Sequence, residues 1–357
     1  MKKITIEDFI SLARQNPVLD VRSPGEYGHA HIPGAYNLPL FSDEERKVVG
    51  TAYKQESKDQ AVKIGLDYFG VKMRKMVEEA DEISSKFQIP NEKSESKKTV
   101  LVHCWRGGMR SAGVAWLLDL YGFEVYVLEG GYKVFRNWIL QQFEKQYSFK
   151  ILGGYTGSGK TEVLKALEKG KQPVINLEGI ANHKGSAFGG LGQPRQPTQE
   201  MFENLLGLKL HSTQNDTAEN EPIWLEDESG RIGAVNLPPA LWKTMRSSPV
   251  FFLDIPFEER LNYITEEYGK FEKKELMASI LRIQKRLGGQ NTKDAISHVL
   301  DGNNKGGFEI LLRYYDKYYS QGLEERKKIN GLIYVIACDV VDPKTNMVKL
   351  LTEKIMA

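Results

Sequence analysis

Cysteine is scarce: 357 residues contain two, Cys104 and Cys338. That excludes a disulfide framework and a Cys/His zinc spacing, and a reducing compartment would leave both thiols free. Long hydrophobic runs are missing as well, since no stretch approaches the ~20 consecutive apolar residues of a membrane span. The opening "MKKITIEDFISLARQNP" is broken by Glu7 and Asp8 where a signal peptide needs an unbroken apolar segment. A cytoplasmic protein without membrane contact is therefore expected. Charge of one sign is lacking too, with 49 Lys and Arg against 47 Asp and Glu and a net charge of +2. A nucleic-acid partner would have to be met by a local basic surface and not by an overall basic field.

The length exceeds what one hydrophobic core usually organises, so two domains are expected. Both halves alternate strand-like and helix-like segments, the pattern of α/β folds with parallel sheets. The first half reads as strands "PVLDVR" and "GAYNLP", a charged helical segment from Asp43 to Phe87, a polar stretch "NEKSESKK", strand "TVLVHC", helix "SAGVAWLLDLYG", strand "EVYVLEGG" and helix "YKVFRNWILQQFEKQ". A boundary near residue 146 separates domains 1–145 and 146–357. The second half opens with strand "FKILGG" and continues with helix "KTEVLKALEKG", strand "PVINLEG", a Gly/Pro-rich loop over 183–197, strands "PIWLEDE" and "PVFFLDI", a helix-rich portion and a last strand "LIYVIACDV".

The stretch "HCWRGGMRS" places a cysteine at the end of a strand and in front of a helix. The carboxyl ends of parallel strands face the binding crevice, so the Cys104 thiol is placed to react. Gly107 and Gly108 let the intervening backbone wrap with its amides inward as an anion nest, and Arg106 and Arg110 add charge. All of these favour thiolate over thiol. The alternative is an inert buried cysteine, which suits Cys338 better. Five residues separate Cys104 from Arg110, the H-C-x5-R spacing of cysteine-dependent phosphatases, whereas many sulfurtransferases have four. Two readings stay open: a phosphatase-like site, or a chalcogen-transfer site whose donor carries a phosphoryl group.

"GYTGSGKT", Gly154 to Thr161, fits G-x-x-x-x-G-K-[ST] between a strand and a helix. Gly154, Gly157, Ser158 and Gly159 would close backbone around a diphosphate-like group, Lys160 would supply a point charge, and the Thr161 hydroxyl is placed to bind Mg2+. Carboxylates at the ends of apolar runs, Glu226, Asp227, Glu228 and Asp254, could hold metal through water or could be solvated turn residues. The long loop after the second strand carries His183, Lys184 and Arg195, which would meet anions of an acceptor substrate. Arg282, Lys285 and Arg286 lie along "LRIQKRLGGQ", either a face that tracks RNA phosphates or a solvated one. The tyrosines of "YYDKYY", 314–319, could stack on RNA bases or pack against a core.

The first half resembles a rhodanese domain, through "LDVRSPGEYGHAHIPGAYNLPL" as well as the cysteine loop. That resemblance implies that Cys104 carries a sulfur-family atom as a persulfide or its selenium analogue, with Asp20 and Arg22 supporting the loop; a purely structural ion pair is the alternative for those two. A rhodanese-like domain fused to a P-loop NTPase-like α/β domain with "GGYTGSGKT", "LEGIANHKGSAFG" and "RIQKRLGG" resembles the bacterial tRNA 2-selenouridine synthase family over essentially the whole chain. The resemblance implies a transferase acting on tRNA that bears wobble 2-thiouridine. The thiouridine is S-geranylated with geranyl diphosphate, and selenium from selenophosphate then replaces the thioether. No tightly bound cofactor is expected, Mg2+ at Thr161 being the candidate ion, and an enzyme that supplies selenophosphate is a candidate partner. A phosphatase or sulfurtransferase fused to a small-molecule kinase, and a nucleotide-gated RNA-binding module, are the competing classes.

Overall fold

The computed structural model describes residues 1–87, 98–216, 218, 221–329 and 332–352. The polar stretch at 91–98 lies, apart from Lys98, outside them. The chain divides into two compact units, Met1–Gln142 and Phe143–Ala357, three residues before the boundary read from sequence.

The first unit runs β1 (Lys2–Ile4), α1 (Ile6–Leu12), β2 (Val18–Asp20), α2 (Pro24–His29), β3 (Tyr36–Asn37), α3 (Asp43–Gln55), α4 (Lys58–Gly70), α5 (Met73–Ser85), β4 (Thr99–His103), α6 (Met109–Tyr121), β5 (Glu124–Leu128) and α7 (Gly131–Gln142). Its five strands are all parallel, in the order β1-β5-β4-β2-β3. β4 is central and covered on both faces, which is why "TVLVH" is apolar almost throughout instead of alternating. Val100, Val102, Val114, Leu118, Val125 and Val127 share one core. The charged segment after Asp43 is three helices, because the Ser57 hydroxyl accepts from the Gln60 amide and starts a new helix at Lys58.

The second unit runs β6 (Phe149–Gly154), α8 (Lys160–Lys169), α9 (Leu177–Ala181), α10 (Gln199–Asp216), β7 (Ile223–Glu226), β8 (Arg231–Ile232), β9 (Val235–Asn236), α11 (Pro239–Ser247), β10 (Val250–Asp254), α12 (Phe257–Tyr268), α13 (Lys273–Arg282), α14 (Gln284–Leu287), α15 (Gly289–Leu300), α16 (Asn304–Ile329), β11 (Ile333–Ala337) and α17 (Pro343–Thr352). Four parallel strands form a sheet in the order β11-β10-β6-β7, and β8 and β9 make a separate antiparallel hairpin. A sheet-based core around Leu152, Leu164 and Leu253 is joined by a helical one around Leu276, Leu287 and Phe308. The strand expected over "PVINLEG" is reduced to one bridge at Val174. There the Asn176 side chain accepts from the Gly179 amide and opens α9 instead. No helix among the described residues is long and apolar enough to cross a membrane.

Candidate functional site

In the first unit β4 delivers Cys104 to the carboxyl edge of the sheet, and α6 starts five residues later. The loop between them is wedged against the β5–α7 turn. The Tyr132 amide donates to the Cys104 carbonyl at 2.8 Å and the Lys133 amide to the Trp105 carbonyl at 3.0 Å. Gly107 has φ +63°, and a Cβ there would stand 2.8 Å from the Leu128 carbonyl oxygen. Gly131 has φ +61°, and a Cβ there would collide with the Cys104 carbonyl. Both positions therefore demand glycine for conformation and for space. Gly108 caps α6.

The Cys104 sulfur is buried, 3.3 Å from the Ser111 hydroxyl. Burial alone would push the thiol up. The Ser111 hydroxyl and amide, the Arg106 amide and the Arg110 charge outweigh it and hold the thiol below its ordinary range. Arg110, expected to add charge to the nest together with Arg106, is held by Glu26 at 2.7 Å. Burial pushes the Glu26 carboxyl up, and Arg110 brings it below the ordinary range. The Arg106 side chain is exposed.

Asp20 and Arg22 form a buried bidentate pair, with Arg22 also donating to the Ala30 carbonyl. The Arg22 guanidinium lies 4.0 Å from the Tyr132 ring centroid and 5.8 Å from that of Trp105. The pair thus supports both walls of the cysteine loop. Burial pushes Asp20 up, while His103 and Arg22 pull it lower. Since burial keeps the His103 ring neutral, Arg22 supplies the effective pull.

In the second unit Gly154, Gly157 and Gly159 all take positive φ, and Lys160 Nζ donates to the Gly154 carbonyl at 2.9 Å. Ser158 turns inward, its hydroxyl donating to the Tyr155 carbonyl. The Thr161 hydroxyl donates to Glu178 at 2.6 Å. Glu178 stands with Glu226 and Glu228: burial, then the Glu178 charge, push Glu226 up to about 8 and Glu228 well above its ordinary range. Glu226 also accepts from the Leu177 amide at 2.9 Å, which fixes it against α9.

The other acids separate. Asp227 is taken by the Tyr319 hydroxyl and by Arg326, and Asp254 is exposed at the end of β10. No group of three or more His, Cys, Asp and Glu stands in a metal-ligating arrangement among the described residues.

His183 is half-buried, with Nδ1 unpartnered among the described residues, and burial pushes its ring down. Lys184 is ion-paired with Glu267, Arg195 is exposed, and Arg282 donates to the Ala187 carbonyl at 3.3 Å. Arg282, Lys285 and Arg286 do not share one helix: α13 stops at Arg282, and the other two sit on the single turn of α14. Of the four tyrosines, Tyr315 accepts from the Ala187 amide and Tyr319 contacts Tyr155 and Phe252, so these two are packing residues. Tyr314 and Tyr318 meet at a tilt, with ring centroids 5.0 Å apart, nearer the surface.

Sequence reasoning missed Glu26, Ser111, the Gly130–Gly131 turn and Glu178. Ser111 had a signal in its position directly after Arg110. Glu178 had one in Asn176, a helix-starting residue type two positions earlier.

Residues 5–137 match the model of the rhodanese-like domain, and residues 147–333 that of the tRNA 2-selenouridine synthase AAA domain. A tRNA 2-selenouridine synthase of Sulfurovum sp. (strain NBC37-1) is 36% identical over 352 residues, covering 89% of this chain and 92% of that one. The synthase of Hydrogenovibrio crunogenus is 33% identical over 358 residues, 90% of this chain and 93% of its own. That of Bdellovibrio bacteriovorus is 33% identical over 369 residues, 91% and 94%. With both domain models matched in order and relatives a third identical along nearly their whole length, the chain belongs to the tRNA 2-selenouridine synthase family.

Proposed function

We propose that this protein converts the wobble 2-thiouridine of tRNA to 2-selenouridine in two steps: S-geranylation with geranyl diphosphate at the P-loop, then replacement of the thioether by selenium from selenophosphate by way of Cys104. The observation that carries this reading is the Cys104 thiol, buried yet held below its ordinary range by Ser111, the Arg106 amide and Arg110. Such a thiol ionises more readily than a free one and so supplies more of the nucleophilic thiolate, and the amides around it suit a phosphoryl-bearing donor.

The order of steps follows from leaving-group chemistry. A thiocarbonyl sulfur departs poorly until alkylation converts it into the sulfur of a neutral thiol. In the first step that sulfur attacks the allylic carbon of geranyl diphosphate, the carbon–oxygen bond breaks, and diphosphate remains in the cradle of Gly157 to Lys160. In the second, the selenium of selenophosphate bonds to the uracil carbon as geranylthiol leaves, the phosphorus–selenium bond breaks as the Cys104 thiolate takes the phosphoryl group, and water releases that group as phosphate.

The buried acids test whether Mg2+ suits the P-loop. Glu226 Oε1 lacks a partner among the described residues, and burial, then the Glu178 charge, drive Glu226 and Glu228 toward protonation. A cation relieves that crowding, so the residues fit. Thr161 and Glu178 would hold the ion, which when bound neutralises diphosphate charge. The tRNA is the macromolecular substrate, an enzyme making selenophosphate is the partner upstream, and the cytoplasm is the compartment.

Mass spectrometry of nucleosides from a 2-thiouridine tRNA tests the proposal, using purified protein with each donor omitted in turn. Selenouridine should require both donors, and geranylated thiouridine should accumulate without selenophosphate. Cys104→Ala should abolish selenium incorporation and spare geranylation, whereas Lys160→Ala should impair geranylation. An unchanged nucleoside under every condition would favour a phosphatase and kinase instead.

A further inference from the structure

The first unit contains a cavity of about 810 Å³ that none of the chemistry above uses. Its walls are the α3–α4 pair and one stripe of α6. Met109, Arg110, Gly113 and Trp116 recur on that stripe at helical spacing, while Val114, Ala115 and Leu118 on the other side of α6 pack into the sheet core. Tyr53, Leu66, Met109 and Trp116 each leave more than half of their surface exposed, yet all four face this one space. Scattered exposed apolar residues need no explanation; a concave cluster of large ones marks a ligand or a partner.

Three features select the occupant. The floor is hydrocarbon and aromatic, supplied by Phe41, Val62, Gly65 and Phe69. Charge sits only as cations, Arg46, Lys47, Lys54 and Arg110, and none of the lining residues is acidic. Arg110 also acts on the Cys104 thiol, so the cavity and the reactive loop meet at one side chain. A ligand with a long apolar tail and an anionic or electron-rich head would have its tail among the helices and its head at the cysteine.

We propose that this cavity binds the acyclic isoprenoid chain of the S-geranylated uridine during selenium transfer, placing the thioether carbon beside Cys104. The proposal rests on the two-step reading above and adds to it a prenyl site in the rhodanese-like unit, distinct from the diphosphate cradle of the P-loop. The cavity makes the geranyl group a handle: binding the tail positions the carbon that loses it, and geranylthiol stays seated after displacement.

Calorimetric titration of the full chain with S-geranyl-2-thiouridine and with S-methyl-2-thiouridine tests the site directly. Burial of the longer chain should make the geranyl probe bind at least about a hundredfold tighter. Gly113→Leu fills the cavity, since a Cβ there meets only Phe69 at 3.7 Å. Leu66→Glu puts a charge on the opposite wall. Each should weaken the geranyl probe at least tenfold while leaving the methyl probe unchanged, which also controls for folding. Equal affinity of wild type for the two probes, variants that bind the geranyl probe normally, or variants that change only the oligomeric state would overturn the proposal. Turnover of a geranylated oligonucleotide separates the two readings. Geranyl-selective binding without selenouridine leaves the prenyl site standing and removes the synthase; selenouridine formed equally by wild type and both variants does the reverse.

Discussion

The Ser111 hydroxyl lies 3.3 Å from the Cys104 sulfur and donates to the Gly108 carbonyl at 3.0 Å, so its single proton can turn from the carbonyl to the sulfur when the thiolate forms. A serine in the first turn of α6 thereby reaches back to the residue that follows β4. A hydrogen bond to a charged acceptor is worth more than one to a neutral group, so this contact favours thiolate.

Ser111→Ala should therefore raise the thiol and slow its reaction. Alkylation of Cys104 by iodoacetamide is expected to fall about tenfold at pH 7 and to converge with wild type at high pH, where both thiols are ionised. Ser111→Thr should restore the wild-type profile. A uniform loss at every pH would mean lost access and not a changed thiol.

Gly107→Ala tests the fit of the loop. The added Cβ would meet the Leu128 carbonyl in a backbone region that alanine rarely adopts, at a cost of roughly 1–3 kcal/mol. Urea denaturation should show that loss in the first unit, and Cys104 alkylation should lose its neutral-pH reactivity.

Asp20→Ala would leave the Arg22 guanidinium buried and unpaired. Loss of one partner from such a pair typically costs about 3–5 kcal/mol, to be measured by urea unfolding. Asp20→Ala combined with Arg22→Met should recover much of it, because the charge and its desolvation leave together.

Glu226 links the P-loop unit to pH. Its folded carboxyl stands at about 8 against an ordinary 4.5. A group raised on folding contributes its full stability below the unfolded value and loses it as pH climbs toward the folded one. The second unit should therefore weaken progressively from about pH 5 to pH 8, by on the order of 4 kcal/mol if Glu226 acts alone. Glu226→Gln should flatten that slope in denaturation series at pH 5, 7 and 9; an unchanged slope would assign the effect elsewhere.

The sheets were legible because their strands are buried on both faces, and a run such as "TVLVH" or "VFFLD" has few other uses. The two glycine-rich loops were legible because their glycines and cations are contiguous in sequence. What escaped depends on contacts between distant segments. Glu26 reaches Arg110 across 84 positions, and Glu178 gains its character only beside Glu226. Short structural signals decided other cases: Asn176 ended a strand that hydropathy would have continued, and Ser57 divided a helix that charge patterning left whole. The isoprenoid cavity had no sequence signature at all, since its walls come from α3, α4 and one stripe of α6.

The interlock of Gly107 with the Gly130–Gly131 turn bears on how such a site can be moved or copied. The nonapeptide 103–111 contains every group that tunes the sulfur except its second wall, which belongs to the start of α7. Transplanted alone onto another parallel sheet, it would carry the cysteine, the serine and both arginines but lose the surface that moulds their backbone. The portable unit is the pair of loops with the Arg22 side chain that touches both, and a designer or a gene duplication would have to carry all three together.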